Sequence, residues 1–486
     1  MKLTKLLKNL EYNCSADISK IDISAIEERP EKAADDCLLV LIKKTDGKAI
    51  EYKGSNTAPL CIVCESDTVI ENPPCPVITV ENARSALSFI YREFYGLDLS
   101  KVRIIGVTGT NGKTTTATLI KRILEYSGCK TGFIGTGKVE IGNERISPED
   151  YSMTTPDPKY LYKYIKHMID CGCEYIVMEV SSHAIALGKV DAINFYCAVF
   201  TNLSSEHMDF HTDMEEYLST KAKLFEMCDI GIFNIDDRYV KKAYTDCSCK
   251  KISVGIIECA DTFITDLEDK GFSGSEYIYR NERCSFKVKL NLPGAFNIYN
   301  SLLAICCAIS IGIKPCLAKR AISEIKSIEG RAEIIKSSIT VIIDYAHTPY
   351  AFSEFLRFVK KAADGRSVTA VFGCGGERDK TKRSVIAGIA EKYADKIIVT
   401  CDNSRNEPVE SIISDIIAGF SSTEKVRIIE DRLCAINSAI LEANDSDIVA
   451  IIGKGAEKYN IDKDGYHPFD EKEIVKEALE NRGQAK

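Results

Sequence analysis

The run Gly109-Thr110-Asn111-Gly112-Lys113-Thr114-Thr115 joins two glycines, a lysine and adjacent hydroxyls in an order suited to phosphate. Glycine lets successive backbone N–H groups turn toward phosphate oxygens, Lys113 offers a compact cation to β- and γ-phosphates, and the Thr114 hydroxyl suits Mg²⁺. The strict P-loop spelling is not met, because Val107 stands where a glycine is required and Gly106 falls one residue early. Apolar VRIIGV precedes the run and TATLIKRILEYSG follows it. It therefore reads as the turn between a buried strand and a helix, with phosphate held at the helix N-terminus.

The elements around this turn must come from a chain of 486 residues with 45% hydrophobic content, enough for about three domains. Residues 1–100 hold short apolar runs at 37–42 and 59–63 and a helical stretch at 82–95, which suggests a small α/β domain. From 101 to 330 the pattern becomes strand, loop, helix, with buried-strand candidates at 175–180, 195–202 and 229–236. A helical run at 296–328 ends at Gly330-Arg331, read as a linker, and alternation restarts at 339–346. The segment 331–486 cycles between strands near 368–373, 396–401, 426–430 and 447–452 and helix-length amphipathic stretches. The expected fold is α/β: a small N-terminal α/β domain, a central P-loop domain with a mostly parallel sheet, and a Rossmann-like C-terminal domain. Ligands of such sheets sit at the carboxyl ends of strands.

A formal charge of −8 gives no general basis for binding nucleic acid or an anionic membrane. The 20 cysteines lack paired zinc-finger spacing and are expected as reduced, mostly buried thiols. The N-terminus lacks a long apolar stretch, and no segment approaches a membrane span, so a cytoplasmic protein without membrane insertion is expected.

The loop GVTGTNGKTTT resembles the ATP loop of the Mur ligase superfamily, and further motifs follow in family order. The resemblance implies ATP bound by Gly109 to Thr115, and places Asn297 and Asn300 of LPGAFNIYNSLLAI near the adenine. It puts Arg331 of the linker, with Asp344 and His347 of DYAHTP, on the nucleotide. MEVSSHA (178–184) supplies Glu179 and TNLSSEHMDFH (201–211) supplies His207 as metal ligands beside Thr114, while Ser181 and Lys189, with Thr154 and Thr155, face the substrate. Lys221 of YLSTKAKLF matches the lysine that the family carbamylates with CO₂, giving N6-carboxylysine as a further anionic ligand. Oxygen donors suit Mg²⁺, a hard cation, and on this reading Lys113, Glu179, His207 and Lys221 carry the catalysis.

Within the superfamily, FGCGGERDKTKR (372–383) and DNSR (402–405) resemble the branch that adds the third residue of the peptidoglycan stem peptide. The resemblance makes Arg378, Asp402, Asn403, Arg405, Gly453 and Glu457 the amino-acid site. Arg405 points to meso-diaminopimelate, because a guanidinium grips a distal carboxylate with two hydrogen bonds. The chain departs from the branch at Ser404 in place of proline, Ala456 in place of histidine, Lys189 and Ser205 in place of arginines, and throughout the expected uridine-binding segment at 27–36.

The implied activity is ATP-dependent ligation. A stem-peptide carboxylate becomes an acyl phosphate, and an amino acid's amine then captures it, with ADP and phosphate as products. The implied partners are UDP-N-acetylmuramoyl-L-alanyl-D-glutamate and an amino acid, with no nucleic acid, and the enzyme is expected as a monomer. The alternatives are the same chemistry with L-lysine or another amino acid, a folylpolyglutamate-type acceptor, and a non-catalytic nucleotide-binding protein.

Overall fold

The computed structural model of the chain describes residues 1–43, 51–52, 58–70, 72–148, 151–206, 208 and 210–484. Among the described residues three large sheets follow one another along the sequence, with two further two-stranded pairs. The first is parallel and four-stranded, in the order Ala25–Glu27, Cys37–Val40, Cys61–Glu65 and Val77–Val80. The helix Ala83–Phe94 closes it, and the Asn82 side chain caps that helix by accepting Ser85 N–H at 3.0 Å. Its apolar face joins a core shared with the helix Pro158–Asp170, so the first segment is packed on the second rather than tethered to it.

The central sheet has eleven strands. Its heart is the parallel set Thr131–Gly135, Tyr175–Glu179, Arg103–Thr108, Phe195–Phe200 and Cys228–Asn234, in that spatial order. Each is almost wholly buried, as expected of strands covered on both faces. After Arg103–Thr108 the chain goes to one side, to Thr131–Gly135, and later crosses to Phe195–Phe200 on the other. The loop at 109–112 thus opens at the point where strand order reverses, where open α/β sheets bind ligands.

An antiparallel extension, Thr262–Asp269, Ser275–Asn281 and Ser285–Leu290, lies beyond the runs legible in the sequence. Its strands alternate buried residues such as Tyr277, Tyr279 and Val288 with charged ones. Only one face needs covering, and the helix Ala295–Ser310 covers it. The helical run at 296–328 is two helices, Ala295–Ser310 and Pro315–Glu324, because Gly312 adopts φ +101° and Pro315 starts a new first turn.

The C-terminal sheet runs Glu333–Lys336, Thr340–Asp344, Ile448–Ile452, Val368–Phe372, Lys396–Val399 and Val426–Ile428. Five strands are parallel and the first is an antiparallel edge. All cysteines are unpaired thiols; Cys259, Cys316 and Cys434 are exposed and the others are buried or half-buried. Among the described residues no helix is long and apolar enough to cross a membrane.

Candidate active site

The loop 109–112 is fixed before any ligand is considered. Gly109 has φ +140°, and a Cβ there would lie 2.0 Å from Thr201 Oγ1. Gly112 has φ +82°, and its Cβ would lie 2.4 Å from Asn300 Oδ1. Glycine is thus required at both positions, for backbone angle and for space. Neighbouring strand ends hold the loop: Asn111 N–H donates to Asn202 Oδ1 at 2.9 Å, and Thr201 Oγ1 donates to Asn111 O at 2.6 Å. Thr110 Oγ1 donates to Ser204 O at 3.2 Å.

Three basic side chains converge here. Lys113, first residue of the helix Lys113–Tyr126, donates from Nζ to Gly109 O at 2.9 Å and Thr110 O at 2.8 Å. Lys221, 1% exposed, donates to the same Gly109 carbonyl at 3.1 Å. Burial, and next the charge of Lys113, push the Lys221 amine well below its ordinary value. Burial also lowers Lys113, against the opposing pull of Glu206 and Glu179. The third arrives from the linker: Arg331 Nη2 donates to Thr114 Oγ1 at 3.0 Å while its guanidinium stacks 4.2 Å from the Tyr345 ring centroid. Such a set, aimed at a helix N-terminus, attracts a polyphosphate.

Glu179 provides the counterpart. Its carboxylate, at a strand end and fully buried, accepts Thr114 Oγ1 at 3.0 Å, Thr136 N–H at 2.9 Å and Thr136 Oγ1 at 3.2 Å. Thr155 Oγ1 donates to Glu179 O at 2.9 Å and accepts Ser181 N–H at 3.1 Å, while Thr154 Oγ1 lies 3.0 Å from Thr136 Oγ1. The candidate substrate residues Thr154, Thr155 and Ser181 therefore form one wall with the candidate metal carboxylate. The donor set is hydroxyl and carboxylate oxygen, which fits a hard divalent cation. His207, expected on the metal, lies outside the described residues.

Other expected residues have definite places. Asn297 and Asn300 are buried behind the loop, with Asn300 Nδ2 donating to Asn297 Oδ1 at 3.0 Å and Thr116 Oγ1 donating to Asn300 Oδ1 at 3.3 Å. Asp344 accepts Ala332 N–H at 2.6 Å and Ala346 N–H at 2.8 Å, and burial raises its pKa against the pull of Arg331. The linker bearing Arg331 is thereby tied to the C-terminal sheet. His347 Nε2 is 3.0 Å from Glu206 Oε1, a second contact between central and C-terminal domains. Lys189 forms an ion pair with Asp157 at 2.7 Å.

In the C-terminal domain Asn403 is central: its Nδ2 donates to Glu457 Oε2 at 2.9 Å, and its Oδ1 accepts Lys454 Nζ at 2.8 Å and Ile461 N–H at 2.9 Å. Burial opposes ionisation of Asp402, but Lys454 and Arg432 outweigh it and hold the carboxyl below its usual range. Burial raises Glu457. Gly453 adopts φ +125°, and a Cβ there would lie 2.8 Å from Asp402 Oδ2. Arg405 Nη1 donates to Gly376 O at 2.8 Å, and Arg378 is exposed on the adjacent loop.

Sequence reasoning missed Thr136, Asn202, Glu206, Tyr345 and Lys454. Thr136 carries no signal, sitting in a turn remote in sequence from the carboxylate it holds. Lys454 follows Gly453 directly in GKGAE (453–457), while Asn202 and Glu206 stand within TNLSSEHMDFH and Tyr345 within DYAHTP, so those three were inside motifs already singled out.

The sequence matches the description "Mur ligase middle domain" over residues 107–308 and "Mur ligase, glutamate ligase domain" over 330–455. It is 38% identical over 485 residues to the UDP-N-acetylmuramoyl-L-alanyl-D-glutamate–2,6-diaminopimelate ligase of Caldanaerobacter subterraneus subsp. tengcongensis, covering 99% of both chains. It is 36% identical over 489 residues to the identically named protein of Clostridium botulinum, again covering 99% of both. A solved structure of a UDP-N-acetylmuramoyl-L-alanyl-D-glutamate–2,6-diaminopimelate ligase superposes with TM-score 0.69 at 24% identity, over 99% of each chain. The Thermotoga maritima MurF ligase in complex with ADP superposes with TM-score 0.60 at 17% identity, over 95% of this chain and 98% of that one.

Proposed function

The chain belongs to the Mur ligase family of ATP-dependent amide ligases, and on that premise we propose that it joins meso-diaminopimelate to UDP-N-acetylmuramoyl-L-alanyl-D-glutamate in peptidoglycan synthesis. The acceptor and amino acid are those in the names of relatives matched along 99% of their length. The observation that carries the reading is the hydrogen bond from Arg331 to Thr114, 3.0 Å across the domain boundary. A linker arginine reaching the hydroxyl beside the phosphate lysine suits an enzyme that makes a reactive phosphate in one domain and delivers an amine from another.

The chemistry begins with the terminal carboxylate of the acceptor attacking the γ-phosphorus of ATP, so that an O–P bond forms, the bridging P–O bond breaks and ADP leaves. Lys113, Arg331 and the loop N–H groups oppose the charge that grows on the transferred phosphoryl oxygens. Thr114 and Glu179 would hold Mg²⁺, which when bound neutralises phosphate charge and orients the transfer. Lys221 supports the same role: burial and Lys113 lower the proton affinity of its amine, which favours uptake of CO₂, and the resulting carbamate would add an anionic oxygen donor. The amine of the amino acid then attacks the acyl carbon, loses a proton, and the tetrahedral intermediate expels inorganic phosphate. Closure of the C-terminal domain through Arg331–Thr114 and His347–Glu206 shields the acyl phosphate from water while the amine approaches.

The amino-acid end is read from charge. Asp402 and Glu457 suit a distal ammonium, and Arg405 and Arg378 suit a distal carboxylate, a combination that favours meso-diaminopimelate over L-lysine. The test measures ADP release with acceptor, meso-diaminopimelate and L-lysine supplied singly and together. Release that requires acceptor plus meso-diaminopimelate is the expected result; equal turnover with L-lysine overturns the amino-acid assignment, and turnover without any acceptor overturns the ligase reading.

A further inference from the structure

Two loops carry the arginines assigned above to the amino acid: 373–380 with Arg378, and 402–407 with Arg405. They touch backbone to backbone. Gly376 N–H donates to Asn403 O at 2.9 Å, and a Cβ on Gly376 would lie 1.9 Å from Ser404 O. Each loop also holds a non-glycine residue in the left-handed region, Glu377 at φ +52° and Arg405 at φ +53°. Such a backbone persists where its surroundings over-determine it.

Those surroundings converge on one buried ion pair. Glu407 accepts Arg383 Nη1 and Nη2 at 2.8 Å each, together with Glu377 N–H at 3.0 Å and Lys380 Nζ at 2.9 Å. Arg383, at 0% exposure, also donates to Gly375 O at 3.2 Å and to Asp415 Oδ2 at 2.8 Å. The pair therefore grips the first loop at 375 and 377 and the second at 407. Only a forked guanidinium can hold both carboxylate oxygens and a carbonyl at once; a lysine presents a single point charge.

We propose that Arg383 and Glu407 are positioning residues for amino-acid recognition, their forked pair setting the spacing between the two arginine-bearing loops and hence the fit of a ligand whose carboxylate lies far from its reacting amine. The inference rests on the ligase reading above. Neither residue is assigned a contact with the amino acid; both act through Arg378 and Arg405.

The test compares the full chain with Glu407→Gln, which keeps the shape and loses the charge, with Arg383→Lys, and with Ile386→Val, which thins the core on the same helix without touching the pair. Steady-state ligation is followed while ATP, acceptor and meso-diaminopimelate are varied in turn, and thermal midpoints are recorded. In Glu407→Gln and Arg383→Lys the KM for meso-diaminopimelate is expected to rise on the order of 10²-fold, the effect of a misplacement of roughly 1 Å, with KM for ATP within about twofold of the parent. In Ile386→Val only the midpoint is expected to fall. Lowered midpoints in all three variants with an unchanged KM for meso-diaminopimelate overturn the proposal, as do equal rises in KM for ATP and amino acid. A parent protein that shows no amino-acid-dependent ADP release removes the ligase reading and this inference together, whereas an active parent with unaltered variants removes the inference alone.

Discussion

Replacing Arg331 by alanine tests how much of the chemistry depends on the linker reaching the phosphate loop. The substitution deletes a charged hydrogen bond to Thr114 Oγ1 at 3.0 Å and a stacking contact 4.2 Å from the Tyr345 ring centroid. A hydrogen bond to a charged group contributes about 1.5–3 kcal/mol, and a partly exposed cation–π contact about 0.5–1 kcal/mol. If both are made in full only when the domains are closed for phosphoryl transfer, the loss is about 2–4 kcal/mol of transition-state stabilisation, or roughly 30- to 900-fold in kcat/KM. Arg331 is half-buried, so the lower part of that range is expected. The assay is ADP release at saturating acceptor and amino acid, with ATP binding to the same protein measured by calorimetry. Arg331→Lys keeps the charge and loses the fork and the stack, and is expected between parent and alanine variant. Activity of Arg331→Ala within about threefold of the parent, at unchanged ATP affinity, refutes the reasoning, because a contact worth more than 1.4 kcal/mol cannot vanish so quietly.

Burial and Lys113 hold the Lys221 amine below its ordinary value, so near neutral pH the unfolded chain binds the proton more readily than the folded one. In CO₂-free buffer Lys221→Met is therefore expected to melt above the parent, by a margin that shrinks as pH rises toward about 10.4, while ligation is lost; thermal midpoints at neutral and alkaline pH decide, and a margin that grows with pH contradicts the burial argument. Gly109→Ala forces φ +140° on an L side chain and drives its Cβ to 2.0 Å from Thr201 Oγ1. It is expected to cost about 1–3 kcal/mol in backbone strain alone and to abolish ATP binding, as read by calorimetry and thermal unfolding. Arg405→Lys keeps a cation and loses the bidentate fork, so KM for meso-diaminopimelate should rise roughly 10- to 100-fold with ATP binding unchanged. An unaltered preference between meso-diaminopimelate and L-lysine would remove Arg405 from the account.

Local signals were legible wherever chemistry or burial constrains short stretches. The loop 109–115 announces itself because only glycine fits the angles at 109 and 112 and because a lysine must open the helix. The parallel strands Arg103–Thr108, Tyr175–Glu179, Phe195–Phe200 and Cys228–Asn234 were visible as apolar runs, a direct consequence of cover on both faces, whereas Thr131–Gly135, with two glycines and a threonine in five residues, was not. The antiparallel strands between 262 and 290 were not, since their charged residues alternate with buried ones and weaken any apolar count. Partnerships remote in sequence were equally invisible: nothing near Thr136 marks it as the residue that holds Glu179, and nothing in the spacing of 331 and 114 predicts their hydrogen bond. The burial of Lys221 was likewise unreadable, because its helix Met214–Ala222 is mostly polar and a lysine there looks solvated until the loop at Gly109 is laid against it.

Transfer of a carboxylate oxygen is the step on which everything else depends. Acceptor labelled with ¹⁸O in its terminal carboxylate, turned over with ATP and meso-diaminopimelate, is expected to deliver one labelled oxygen to each inorganic phosphate, since the C–O bond of the acyl phosphate breaks when the amine enters. Amide product formed with unlabelled phosphate would contradict the acyl phosphate, and with it the role assigned to Lys113, Arg331 and the loop they meet.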